Sequence, residues 1–161
     1  MKIDKYSDEY KEQLIGLIDK VYKEYNDKVF LQGFDKDLLD ITNVYFKKTG
    51  YFWILTDDDQ KIAGCIAVKR INKETAELKR LYLLSEYRGK GFSDQLFKTA
   101  LQWIVKNNYE NVILWSDIRF ERAHYFYIKK GFVRKEMRHM NDGAMPYSEY
   151  LFECGIKKIN L

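Results

Sequence analysis

Leu81-Tyr82-Leu83-Leu84-Ser85-Glu86-Tyr87-Arg88-Gly89-Lys90-Gly91-Phe92-Ser93 is the stretch on which the reading of this chain turns. It begins as an apolar, strand-like run and passes through a polar turn. It then opens into residues 93–107, where Leu96, Phe97, Ala100, Leu101, Ile104 and Val105 share one helical face. A strand that feeds a helix through such a turn directs several backbone N–H groups at one place. The first amides of a helix have no partner inside it, and the helix dipole adds about half a positive charge there. Gly89 and Gly91 allow a ligand close to the backbone, and Arg88 and Lys90 add full charges. The turn therefore reads as an anion site suited to a pyrophosphate. Two familiar phosphate loops are excluded. No Gly-x-x-x-x-Gly-Lys-Ser/Thr occurs, and Gly89-x-Gly91 is followed by Asp94 where a dinucleotide fingerprint needs a third glycine.

Upstream of the turn, residues 75–84, 61–72 and 51–56 read as strands, the last two separated by the polar Asp57-Asp58-Asp59-Gln60. Before them, residues 1–6 read as a strand. Ser7 is placed to cap a helix to about residue 29, with Leu14, Leu17, Ile18 and Val21 at helical spacing. A second helix is expected over 36–48, carrying Leu38, Leu39, Ile41, Val44 and Tyr45. Downstream come a buried strand at 112–115, a helix over 122–130 stopped by Gly131, and strands at 132–139 and 148–154. The order β-α-α-β-β-β-α-β-α-β-β is an α/β pattern, a mixed sheet with helices packed on it in three layers. Pro146 is the only proline and no linker divides the chain, so residues 1–161 read as a single domain.

The formal net charge of +4 is spread along the chain. It gives no nucleic-acid footprint and suits a small anionic ligand. Cys65 and Cys154 lie far apart in apolar strand-like runs, so they read as buried, reduced thiols of a cytoplasmic protein. With only His124 and His139 beside them, no metal-ligand spacing exists and no metal is expected. The N-terminus Met1-Lys2-Ile3-Asp4-Lys5 has no apolar signal core, and no apolar run is long enough to span a bilayer, so no membrane association is expected.

Arg88-x-x-Gly91-x-Ser93 resembles the Arg/Gln-x-x-Gly-x-Gly/Ala signature of the GNAT superfamily of N-acetyltransferases, with Ser93 in place of the usual Gly or Ala. The run Leu81 to Tyr87 resembles that family's fourth strand and its approach to the loop. Ala123-His124-Tyr125-Phe126-Tyr127-Ile128-Lys129-Lys130-Gly131-Phe132 is similar to its helix ending in Ala-x-x-Phe-Tyr-x-x-x-Gly-Phe. The likeness is strongest from about residue 78 to 132 and weak before 51. It implies a three-layer α/β/α fold on a mixed, mostly antiparallel sheet of about seven strands, splayed between strands 4 and 5.

The resemblance also implies an acetyl-CoA-dependent N-acetyltransferase. Acetyl-CoA would lay its pyrophosphate on the amides of Arg88, Gly89, Lys90, Gly91, Phe92 and Ser93, with Asp94 close by. Its pantetheine arm would pair with the backbone around Leu81 and Leu83. Tyr127 matches the family tyrosine that protonates the departing thiolate, although 13 tyrosines make a core role a real rival. An amine acceptor is mostly protonated at neutral pH, with a pKa of about 10. Glu77 stands where some members place the general base, and Asp117 is a second candidate. Phe120 replaces an asparagine that many members use on the CoA arm, leaving Arg119 or Ser116 as substitutes. The acceptor is a small-molecule or peptide amine of open identity. Small members often pair, so a homodimer is among the expected states. A CoA-binding sensor without catalysis is the alternative.

Overall fold

The computed structural model describes residues 1–161 and contains one seven-stranded sheet. The strands are β1 Lys2–Lys5, β2 Tyr51–Thr56, β3 Ile62–Arg70, β4 Thr75–Leu83, β5 Asn111–Asp117, β6 Val133–Met140 and β7 Tyr147–Gly155. Their order is β1-β2-β3-β4-β5-β7-β6, antiparallel throughout except for the parallel pair β4–β5. Helices α1 Lys11–Lys23 and α2 Ile41–Val44 cover one face. Helices α3 Phe92–Lys106 and α4 Glu121–Lys129 cover the other. This is the expected three-layer arrangement.

Two cores follow from the layering. Leu96, Phe97, Ala100 and Ile104 of α3 close on Ala76, Leu78, Val112, Leu114 and Phe152 of the sheet. Leu14, Leu17, Ile18 and Val21 of α1, spaced as one apolar stripe, close on Phe52, Ile54, Cys65 and Ala67. Both cysteines are free and buried.

The expected splay is present. β4 and β5 pair only over Thr75–Glu77 against Asn111–Ile113 and then diverge. A bulge sits beside it: the β3–β4 register shifts between Cys65/Ala67, and Arg80 of β4 takes φ 58°. Ala76 and Leu78 face α3, but beyond Arg80 it is Leu81 and Leu83 that do, so the bulge inverts the strand's alternation. Arg80 is thereby turned toward α1, on the same side as Lys79.

The strand boundaries expected from the sequence hold to within a few residues. The two N-terminal helices do not. α1 stops at Lys23, and Asn26 in the left-handed region (φ 56°) turns the chain into an irregular strap up to Asp35. The helix expected over 36–48 is three short pieces, a 3-10 turn Lys36–Leu39, α2 and a 3-10 turn Phe46–Lys48. Asp40 is extended (φ −148°), and its carboxylate accepts from the Asn43 amide at 3.1 Å as an N-cap. Asp37, one turn earlier, is drawn to Arg80. A helical hydrophobic pattern is thus overruled by a cap and a buried cation.

Candidate active site

The glycine turn presents a run of unpartnered amides ahead of α3. After a 3-10 turn at Ser85–Tyr87, Gly89 has φ 73° and Gly91, the N-cap of α3, has φ 81°. A Cβ at either glycine would meet nothing within 4 Å, so the glycines serve the left-handed backbone and not a tight fit. Gly91 offers no side-chain cap, and the first helical bond of α3 is from the Gln95 amide to the Gly91 carbonyl at 3.1 Å. The amides of Gly89, Lys90, Gly91, Phe92, Ser93 and Asp94 donate to no protein acceptor. They lie at the N-terminus of α3, the positive end of the helix.

Two expected contributors behave differently from simple anion ligands. Arg88 donates Nε to the Leu83 carbonyl at 2.9 Å and both terminal nitrogens to Glu24 at 2.7 and 2.8 Å. Its charge is matched by Glu24, so it ties the end of β4 and the turn to the end of α1. The Asp94 carboxylate is held by the buried Lys130 at 2.6 Å, which removes a bare negative charge from the turn and joins α3 to α4. Lys90 is exposed, its ammonium 5.9 Å from the Tyr87 ring centre.

A cleft opens at the splay. It is lined by Leu78 to Tyr82 on one side and by Leu114 to Asp117 on the other, with Ala123 and Tyr127 of α4 at its floor. Leu81 is among these lining residues, while Leu83 is buried beneath the α3 core. Beyond Glu77 the edge of β4 has no strand partner on the β5 side, although the Leu83 carbonyl already accepts from Arg88. An extended amide chain entering the splay meets an unpaired strand edge.

Tyr127 is 6% exposed and lines the cleft, its hydroxyl making no hydrogen bond to protein. It is not among the buried polar atoms shut off without a partner, so the hydroxyl is left for the cleft. Burial, with a smaller contribution from Tyr82, pushes its phenol well above the ordinary range. The group stays protonated at neutral pH. Glu77 lines the same cleft, and its nearest cation is Lys79 at 3.6 Å. Asp117 is more constrained. It accepts from the Arg119 amide at 2.9 Å and from the Arg119 guanidinium at 2.9 and 2.7 Å, while Arg119 also reaches Asp27 at 2.8 Å. Phe120, in the place of the family's asparagine, packs on Tyr25 with ring centres 4.7 Å apart. His124 is structural: its Nε2 pairs with the Asp117 carbonyl at 2.9 Å, and burial lowers its pKa. His139 Nδ1 pairs with Ser148 Oγ at 2.7 Å.

The structure adds residues that the sequence did not single out. Arg80 is buried and bonds Asp35 at 2.7 Å, the Phe34 carbonyl at 3.1 Å, Tyr22 at 3.3 Å and both oxygens of Asp37. These bonds hold the strap against β4. Phe34 spans the splay, because its amide also donates to the Asp142 carbonyl in the β6–β7 turn at 2.7 Å. Its ring meets Tyr147 edge-on at 5.6 Å. On the far wall, Arg138 binds Glu149 through Nε at 2.7 Å and Nη2 at 2.6 Å and lies 3.9 Å over Trp115. Register places these on one face: Asp117 opposite Glu149, and Arg138 opposite Glu149. A charged residue amid the apolar alternation of β4 was the available signal for Arg80. Arg138 and Glu149 gave none, because their meeting depends on strand register.

A free-amide cradle, a splayed parallel pair and a cleft tyrosine together match one family pattern. The model of the GNAT acetyltransferase family matches residues 12–132. The chain belongs to the GNAT acetyltransferase family. Among curated relatives, the N-acetylaspartate synthetase of Danio rerio is 33% identical over 115 residues, covering 68% of this chain and 41% of that protein. N-acetyltransferase 8F1 of Rattus norvegicus is 28% identical over 109 residues, covering 65% and 49%. This GNAT chain thus spans less than half the length of either relative. A GNAT-family acetyltransferase structure from Staphylococcus aureus superposes with TM-score 0.84 at 25% identity, covering 96% of this chain and 98% of that one. An aminoglycoside 6'-N-acetyltransferase solved with coenzyme A shares the GNAT fold at TM-score 0.71 and 14% identity, covering 97% of both. No helix is long and apolar enough to cross a membrane.

Proposed function

We propose that this protein transfers an acetyl group from acetyl-CoA to a primary amine by direct attack, with Tyr127 as general acid and Glu77 as general base. The observation that carries the reading is the conjunction of three features: a run of unpartnered amides at Gly89–Asp94 just after β4, the splay of β4 from β5 beyond Glu77, and Tyr127 in the cleft lining with its hydroxyl free of protein partners. The cradle fits a pyrophosphate, and the unpaired β4 edge fits the amides of a pantetheine arm. Arg88 supports the cradle through Leu83 and Glu24 instead of meeting the phosphates itself.

The chemistry follows from the positions. The amine nitrogen attacks the thioester carbonyl carbon, and the resulting oxyanion collapses as the carbon–sulfur bond breaks. The thiolate takes the phenolic proton of Tyr127, which burial keeps in place until then. The proton shed by the amine passes to Glu77, directly or through water. Asp117, tied to Arg119, orients its loop and leaves the base role to Glu77. The strap and Phe34 roof the cleft, which favours a small acceptor over the side chain of a folded protein.

Tyr127→Phe tests the reading. The variant is expected to bind CoA as the wild type does and to lose about 100-fold or more in turnover, the range for a positioned general acid. CoA release is measured as free thiol, with product mass as confirmation. Unchanged turnover removes Tyr127 from the mechanism. Absence of thiol release from the wild type across a broad amine library favours a CoA-binding sensor.

A further inference from the structure

The charges in the cleft distinguish among amines. Most of its ionic groups are already matched within the protein. Arg80 is consumed by Asp35 and Asp37, and Arg119 by Asp27 and Asp117. Glu149, 4% exposed, is covered by Arg138 through two nitrogens. The cleft therefore offers a polycation few unmatched carboxylates. Glu77 is the least engaged, with Lys79 at 3.6 Å, beyond hydrogen-bond length.

Donors remain on the same sheet face. The Lys79 ammonium makes no hydrogen bond, and its side chain keeps 23% exposure within the cleft lining. Arg138 uses Nε and Nη2 on Glu149 and leaves Nη1 unfilled, with 37% of its side chain exposed. Its guanidinium carbon lies 3.9 Å from the Trp115 ring centre, and that contact with the two bonds to Glu149 restrains the side chain, so little freedom is lost when an anion binds. Lys79 and Arg138 both belong to the lining of this one cleft. Tyr147 is no competitor for an anion, because its hydroxyl already donates to Asp142 at 2.7 Å.

We propose that the acceptor is a small zwitterion, an amine that also bears a carboxylate as a free amino acid does, and that Lys79 and Arg138 bind the carboxylate while Glu77 faces the amine. This rests on the acyl-transfer reading above. A carboxylate satisfies the spare donors, and an ammonium gives Glu77 a second cation. A polyamine leaves both donors facing positive charge.

The test pairs free amino acids with their own carboxamides and adds spermidine as a polycation. Thiol release is measured at saturating acetyl-CoA. For the best acceptor, kcat/KM for the acid is expected to exceed that for its amide at least tenfold. Arg138→Gln alone strands Glu149, so the double variant Arg138→Gln/Glu149→Gln is used beside Lys79→Met, with circular dichroism to verify folding. Each is expected to reduce the acid-to-amide ratio at least fivefold, chiefly through the acceptor KM. Equal or better turnover of the amides or of spermidine overturns the proposal, as does an acid-to-amide ratio unmoved in the folded variants. Calorimetry of the same ligands with CoA-loaded protein separates the two readings. Acid-selective binding without thiol release overturns acetyl transfer and upholds the carboxylate site. Thiol release without acid selectivity does the reverse.

Discussion

Arg80 shows how much one residue decides. A non-glycine residue in the left-handed region costs about 1–2 kcal/mol. Here the bulge aims the guanidinium at Asp35, Asp37 and the Phe34 carbonyl, with its side chain almost fully buried. Removing one partner of a buried ion pair typically costs about 3–5 kcal/mol. Arg80→Met is therefore expected to lower unfolding stability by about that amount. Urea denaturation at neutral pH checks it, and a change under 1 kcal/mol refutes it. Asp37 gives the pH counterpart. Burial raises its carboxyl, but Arg80 and Tyr45 more than offset this, and the folded pKa lies below 3.8. A depressed carboxyl contributes stability that is complete above its unfolded pKa and is lost as pH falls through the folded value. Asp37→Asn is thus expected to be destabilising near pH 6. The gap to wild type should close below pH 3.8, as read from urea midpoints against pH.

At the scale of elements, the turn into α3 divides its work between backbone and side chains. Gly89 and Gly91 provide the geometry, and Arg88 and Lys130 anchor the two sides of the turn. Gly91→Ala meets no neighbour but must hold φ 81°, at a cost of about 1 kcal/mol. A backbone that relaxes away from that angle turns amides out of the cradle. The expected outcome is weaker CoA binding by calorimetry, with Tyr127-dependent chemistry little changed once CoA saturates. A larger loss in saturated turnover than in affinity counts against this account. The turn was legible in the sequence because strand, glycine spacing and helix are local signals. The strap was not. Residues 24–35 carried part of a helical pattern, and what unwound it was Asn26 locally and Arg80 from a strand more than forty residues away.

At the scale of the molecule, the splay between β4 and β5 is a standing gap in an otherwise continuous sheet. The two halves meet there through three residue pairs, the strap and the cores on either face. Under the proposed function, CoA fills this gap and binds the folded state alone. CoA at 100 times its Kd is expected to raise unfolding stability by about 2.7 kcal/mol. Thermal melts across a CoA titration check this. Amides of β4 beyond Glu77 should gain hydrogen-exchange protection, and no protection there removes the splay as the binding slot.

The sequence by itself determined the layer order and the glycine turn between β4 and α3, because both are written in local periodicity or spacing, while Tyr127 on the helix after β5 was marked by the resemblance to a family motif. It also placed Glu77 on the strand that enters the cleft. Tertiary structure alone decided that Arg88 would brace the turn, that Asp117 would be taken by Arg119, and that Arg80 would hold the strap. It likewise brought Arg138 to Glu149 over Trp115, the wall on which the acceptor reading rests. The physical reason is common to all four. A charged side chain settles where an opposite charge and a low-dielectric surface meet it, and strand register and the bulge in β4 fix that place.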